Sequence, residues 1–275
     1  MFTFIQSLED LAFLNQELLS KNYLGVDTEF RRTTKYNMRL ALLQVNDGEE
    51  IYLIDTVLID NPKEHANFLF SDSVTKVFHS CKEDLEAIYS WTNQEMKNIF
   101  DTQIANSFLE DDYSIGYQGL VEKKLGIVLE KKETRSNWIR RPLSDAQLKY
   151  AALDVEYLIH LYEVQRLELS QTSKLDWHNE DVEKLINTTF NHSTHFSELV
   201  RTISKTQEDE LLQRLNKIVD EIAKNERINS TLFFSKKAQK DFLRLIFSEG
   251  LEPACKQITS WRSKLIKEAL LNLLR

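Results

Sequence analysis

Five side chains in this sequence have types and spacings suited to phosphate chemistry: Asp27, Glu29, Asp84, Tyr150 and Asp154. Asp27 and Glu29 close the apolar stretch Tyr23-Leu24-Gly25-Val26 and stand one residue apart. In a strand, alternate residues share a face, so the two carboxylates would lie side by side. Such a pair repels itself unless a cation neutralises it. Hard divalent cations take oxygen ligands, and Mg²⁺ usually combines a few carboxylates with phosphate oxygens and water. Asp84 follows His79-Ser80-Cys81-Lys82-Glu83, just past another apolar stretch. Tyr150 and Asp154 are four residues apart, which places them on one face of a helix. Each residue also has a structural alternative. The acidic pair could be a solvated turn. Asp84 could be a first-turn acid favoured by the helix dipole. Tyr150, with Tyr157, could belong to an aromatic core stripe.

The elements that must position these groups follow from periodicity and turn chemistry. Ser7 to Leu19 has the spacing of an amphipathic helix. Asn22 to Glu29 reads as a strand, followed by a basic connection with Arg31, Arg32, Lys35 and Arg39. Leu40–Val45 and Ile51–Ile54 read as two strands joined at the turn signal Asn46-Asp47-Gly48. Val74–His79 is a fourth strand, with a helix expected over Lys82–Trp91. Ile99–Thr102 is a short fifth strand before a helix that runs through Leu109. Leu120–Leu125 is helical and stops at Gly126. Residues 127–143 are a polar loop holding Lys131, Lys132, Arg135, Trp138, Arg140 and Arg141. Ser144 and Gln147 form a capping box opening a helix expected to reach about Leu169. From Leu175 onward the pattern is wholly helical, with Gln171 to His195 polar enough to serve as a connection.

Composition narrows the class. The 275 residues, 42% apolar and 28% charged, suit one large soluble domain and one small one. Two distant cysteines, Cys81 and Cys255, have no metal or disulfide-framework spacing and suit a reducing cytoplasm. No basic leader followed by a long apolar stretch opens the chain, and no stretch approaches the roughly 18 apolar residues of a membrane span. The net charge of −8 is unevenly distributed. Residues 201–275 carry 15 Lys and Arg against 10 Asp and Glu, and the acid is concentrated in residues 1–200. Bound metals would offset part of that acid. The basic balance of the C-terminal part is compatible with a phosphate-binding surface, and equally with a solvated helical face.

Taken in order, these stretches resemble the ribonuclease D family, within the DEDD exonucleases of ribonuclease H-like fold. The likeness rests on Asp27-Thr28-Glu29, on Val77-Phe78-His79 leading to Glu83-Asp84-Leu85, and on Tyr150-Ala151-Ala152-Leu153-Asp154-Val155. Phe100-Asp101-Thr102-Gln103 and Ser136-Asn137-Trp138-Ile139-Arg140-Arg141-Pro142-Leu143 add to it. Leu232-Phe233-Phe234-Ser235-Lys236-Lys237 and Trp261-Arg262-Ser263-Lys264-Leu265 resemble the family's last helical module, an HRDC-like domain. Longer members carry two such modules, and this sequence has room for one.

The resemblance implies an α/β fold: a ribonuclease H-like mixed sheet flanked by helices, followed by a small all-α domain. It implies an exonuclease domain over 1–170, a linker over 171–194 and a helical domain over 195–275. It further implies two divalent cations, Mg²⁺ or Mn²⁺, with Asp27 between them, Glu29 and Asp154 on one and Asp84 on the other. Tyr150 would orient the attacking water. The expected activity is 3′-5′ hydrolysis of RNA, with tRNA precursors as substrates, by a cytoplasmic monomer without membrane contact. Arg31, Arg32, Arg39, Trp138, Arg140 and Arg141 are candidates for gripping the substrate. A 3′-5′ DNA exonuclease is the alternative within the same chemistry, and a non-catalytic RNA-binding protein is the alternative outside it.

Overall fold

A computed structural model of the chain describes residues 2–34, 37–109, 114–129, 136–190 and 203–274. The chain divides into two compact units, residues 1–103 with 115–167 and residues 104–114 with 168–275. The first unit is built on six strands: β1 (Phe2–Ile5), β2 (Tyr23–Thr34), β3 (Asn37–Asn46), β4 (Ile51–Ile54), β5 (Thr75–Phe78) and β6 (Ile99–Asp101). They form one sheet in the order β1-β4-β3-β2-β5-β6. β3 is antiparallel to both β2 and β4, while β1–β4, β2–β5 and β5–β6 are parallel. The mixed α/β sheet is therefore present as expected.

β3 explains why this sheet is covered on both faces. Leu40, Ala41, Leu42, Leu43 and Val45 are all buried, so neighbouring residues pointing to opposite faces both meet protein. Ala41, Leu42, Leu53, Trp138, Leu143 and Ala151 form one core cluster. The strand pair turns at Asn46-Asp47-Gly48. There Asn46 Oδ1 accepts from the Gly48 N–H, and Asp47 Oδ1 accepts from the N–H groups of Glu49 and Glu50.

The helices of this part of the chain are α1 (Leu8–Leu18), α2 (Lys82–Thr92), α3 (Thr102–Leu109), α4 (Tyr117–Leu125), α5 (Asp145–Glu156) and α6 (Leu158–Gln171). Ser7 caps α1 through the Asp10 N–H. Ser144 and Gln147 make both bonds of the capping box that opens α5. α4 ends at Gly126, whose φ of +71° is the left-handed conformation a glycine adopts without penalty.

Four features differ from the sequence expectation. β1 is a strand of only four residues, too short to show a period by itself. It gains its bonds from β4. Arg31 and Arg32 lie within β2 and Arg39 within β3, because the ladder continues through Thr34↔Asn37. Lys35 lies outside the described residues. The helix opened at Ser144 breaks at Tyr157 (φ −108°, ψ 3°), so α5 and α6 are separate. The span 171–194, expected as a linker, contains the 16-residue helix α7 (Leu175–Phe190). Several of its polar residues, Glu180, Asp181 and Lys184 among them, have partners that composition alone does not reveal.

Those partners lie in the second unit, which also contains α8 (Lys205–Glu226), α9 (Ser230–Phe234), α10 (Lys236–Glu249), α11 (Leu251–Lys256) and α12 (Ser260–Leu273). Trp177 of α7 stacks on Trp261 of α12 with centroids 4.8 Å apart. Asp181 receives the Arg262 guanidinium, which also donates to the Leu232 and Phe233 carbonyls at 2.7 and 2.8 Å. The two C-terminal motifs singled out in the sequence thus meet at one arginine. No described helix is long and apolar enough to cross a membrane.

Candidate active site

The site is built where β2 outruns β5. The parallel β2–β5 pairing covers Tyr23, Leu24 and Gly25 and then stops. Past that point β2 presents Asp27, Thr28 and Glu29. β5 ends at Phe78 and turns through Ser80, whose φ is +64°. Asp101, at the end of β6, holds that turn by accepting from the N–H groups of Ser80 at 3.2 Å and Cys81 at 2.8 Å. The turn starts α2 so that Asp84 falls in its first helical turn. There Asp84 accepts the Thr28 hydroxyl at 2.5 Å. Asp84 is buried, while Asp27, Glu29, Tyr150 and Asp154 are half-buried.

α5 brings the remaining groups over the same stretch of sheet. Tyr150 and Asp154 interact, as their spacing of four allows, and the phenol acts to hold the Asp154 carboxyl down. The Tyr150 ring packs against Trp138, with centroids 6.1 Å apart. Below, Gly25 admits the α5–α6 junction. A β-carbon there would lie 3.0 Å from Leu158 Cβ and 3.3 Å from the Val155 carbonyl oxygen.

Electrostatics show that the acids act on one another. Burial, and then repulsion from Asp84, Asp154 and Glu29, hold the Asp27 carboxyl well above the usual carboxylate range. Burial first, with the Asp154 and Asp84 charges behind it, pushes Glu29 up to about 8. Burial raises Asp84 and Asp154 each to about 7, and hydrogen bonds from Thr28 and Tyr150 respectively resist the rise. Four mutually repelling oxygen donors fit hard divalent cations. Among the described residues no three His, Cys, Asp or Glu side chains are gathered tightly enough to hold an ion alone. Mg²⁺ takes one or two carboxylates and completes its shell with phosphate oxygens and water.

The candidate substrate-binding residues divide. Arg31 and Arg39 are exposed and directly opposite one another across β2 and β3. Arg140 is exposed as well. Arg32 is paired with Glu86 at 2.8 Å and Glu83 at 3.4 Å on α2. Arg141 is taken up by the fold: both arms grip Asp55 at 2.6 Å, and it donates to the carbonyls of Trp138 and Ala41. Trp138 is 5% exposed and belongs to the core beneath Tyr150. Charge and aromaticity alone could not distinguish these two from surface groups. Lys131, Lys132 and Arg135 lie outside the described residues.

Sequence reasoning missed several contributors. In the sequence Thr28 and Asp101 are legible only as parts of motifs. Gln44 lies directly across the ladder from Asp27, is fully buried, and neither end of its amide has a partner among the described residues. A polar residue within the apolar stretch Leu40-Ala41-Leu42-Leu43-Gln44-Val45 was the available signal for it.

Comparison with known proteins follows the same outline. The 3′-5′ exonuclease family model matches residues 2–170. The chain is 37% identical over 185 residues to Ribonuclease D of Shewanella sp. (strain ANA-3), a match covering 67% of this chain and 48% of that protein. It is 40% identical over 185 residues to Ribonuclease D of Pseudomonas paraeruginosa (strain DSM 24068 / PA7), covering 66% and 49%. The matches thus span about half the length of these relatives. The crystal structure of Escherichia coli RNase D, described as an exoribonuclease involved in structured RNA processing, aligns with a TM-score of 0.64 at 23% identity. That alignment covers 99% of this chain and 74% of the other and shows a shared fold.

Proposed function

Because this chain belongs to the 3′-5′ exonuclease family, we propose that it removes nucleotides one at a time from the 3′ end of RNA, as a metal-dependent hydrolase acting on tRNA precursors. The observation that carries this reading is the convergence of Asp27, Glu29, Asp84 and Asp154 from three separate elements into one another's fields. Such a set is unfavourable by itself and favourable around cations. The names of the most similar curated proteins support RNA as the substrate. The two cysteines, both free and buried, suit a reducing cytoplasm as the place where it acts.

Asp27 would lie between two cations, Mg²⁺ or Mn²⁺, with Glu29 and Asp154 serving one and Asp84 the other. When bound, the cations supply charge that neutralises the scissile phosphate and lowers the pKa of the attacking water. The chain's own residues do the rest. Thr28 fixes the rotamer of Asp84 by its hydrogen bond. With its proton turned toward Asp154, Tyr150 would leave the lone pairs of its oxygen free to accept a hydrogen bond from water. Burial holds the phenol above its ordinary pKa, so it positions that water rather than deprotonating it. The water oxygen bonds to phosphorus, the bond to the 3′ oxygen breaks, and that oxygen takes a proton, leaving a 5′-mononucleotide.

Asp27→Asn keeps the shape and removes the charge that two cations would share. Turnover on RNA in Mg²⁺ should fall by at least about 100-fold with the fold intact, because a ligand is lost outright where even its outer partners matter. Tyr150→Phe removes only an orienting hydroxyl and should cost less, about tenfold. Near wild-type turnover by Asp27→Asn, with circular dichroism unchanged, would remove this residue from the site.

A further inference from the structure

The last turn of α5, just past Asp154, is not closed in the helical way: within the backbone the Tyr157 N–H reaches only the Val155 carbonyl. In a continuous helix the Tyr157 N–H would donate to the Leu153 carbonyl. The Tyr117 hydroxyl stands between them instead, accepting from the Tyr157 N–H at 3.0 Å and donating to the Leu153 carbonyl at 3.2 Å. A side chain inserted into this ladder is a physical cause of a helix break. Two and three residues beyond Leu153, the Val155 and Glu156 carbonyls receive Asn46 Nδ2 at 3.0 and 3.1 Å. The backbone on both sides of Asp154 is therefore held by side chains from α4 and β3.

Tyr117 is itself anchored to the strand end that leads to Asp84. Two residues before it, the Ile115 carbonyl accepts from His79 Nε2 at 3.1 Å and from Gln103 Nε2 at 3.0 Å. The Tyr117 ring meets the His79 ring edge-on, with centroids 5.9 Å apart. His79 follows β5 directly and precedes the Ser80 turn. One phenol thus joins the turn that delivers Asp84 to the turn that delivers Asp154.

We infer that Tyr117 is a positioning residue whose hydroxyl, by holding open the last turn of α5, aims the Asp154 carboxylate at Asp27 and sets the cation affinity of that side of the site. The inference rests on the reading of Asp154 as a cation ligand. Tyr117→Phe keeps the ring packed among Leu120, Val121 and Leu161. It lets the Tyr157 N–H bond Leu153 directly, drawing α5 toward α6 and moving Asp154.

The test is calorimetric titration of Mn²⁺ alone into the full chain and into Tyr117→Phe, Asp154→Asn and the double variant. Tyr117→Phe should weaken Mn²⁺ binding about tenfold, the lower end of what lost outer-shell support costs. In the Asp154→Asn background the same change should shift affinity by less than about twofold, since groups acting through one another are not additive. With RNA present, excess Mn²⁺ should return kcat of Tyr117→Phe toward wild type with KM for RNA unchanged. A lower Tm with Mn²⁺ affinity unaltered would make Tyr117 a purely structural wedge and overturn the inference. Wild-type Mn²⁺ binding by Asp154→Asn would instead remove the premise, by showing that Asp154 is not a ligand.

Discussion

Asp27, Glu29, Asp84 and Asp154 each hold a proton more tightly than an ordinary carboxyl group; burial is the first cause at every one, and neighbouring acids add to it at Asp27, Glu29 and Asp84. This has a consequence for stability. In the unfolded chain these groups titrate near pH 4; in the metal-free fold Glu29 is pushed up to about 8, Asp84 and Asp154 to about 7, and Asp27 is held well above the ordinary range. Between those values the folded state binds more protons. The stability they contribute is therefore fully present below about pH 4 and is lost as pH rises through 7 to 8. Melting temperature in EDTA should fall from pH 5 to pH 8, and Asp27→Asn should flatten the slope. Added Mn²⁺ should raise the melting temperature more at pH 8 than at pH 5.5, because ligation requires the ionised carboxylates. A Mn²⁺ shift independent of pH would contradict this. Thr28 shows how a residue between two acids becomes necessary without being acidic: it points to the opposite face of β2 and fixes the rotamer of Asp84.

At the scale of elements, strands and caps deliver the chemistry, and their legibility in the sequence was uneven. The Asp27/Glu29 strand, the Asn46-Asp47-Gly48 turn, the Ser144 capping box and the Gly126 stop depend on neighbours in the sequence, and each is present as read. The break at Tyr157 depends on Tyr117 and Asn46, distant in sequence, so no local pattern could reveal it. Asn46 had a sufficient local role in the turn, which hid its second role at Val155 and Glu156. Trp138 and Arg141 share the composition of a surface loop, and only the fold shows them turned inward. Arg141→Ala would leave the fully buried Asp55 without its cation. Loss of a partner from such a pair costs about 3 kcal/mol, which chemical denaturation should detect, while Arg140→Ala should leave stability unchanged. The opposed Arg31 and Arg39 are the reverse case. Like charges directly across a ladder disfavour folding, so a bound phosphate is a reason to keep them. Arg31→Ala with Arg39→Ala should weaken RNA binding and reduce the salt slope by about 1 to 2. An unchanged slope would remove the pair from the RNA-binding surface.

For the whole molecule, the matched family model ends at residue 170, and the helical second unit continues past it. Its α7, polar in composition, brings Trp177 and Asp181 against Trp261 and Arg262 of α12. Its order is thus continuous with helices that the sequence marked by apolar stripes. The central claim, a metal-dependent exonuclease working from the 3′ end of RNA, is tested most directly by a time course. The substrates are tRNA with a 3′ extension and matched single-stranded RNA and DNA, all labelled at the 5′ end, with Mg²⁺, Mn²⁺ or EDTA. The account predicts a ladder that shortens one nucleotide at a time from the 3′ end, only with metal, and slows at the tRNA stem. Equal digestion in EDTA, or DNA degraded faster than RNA, would contradict it.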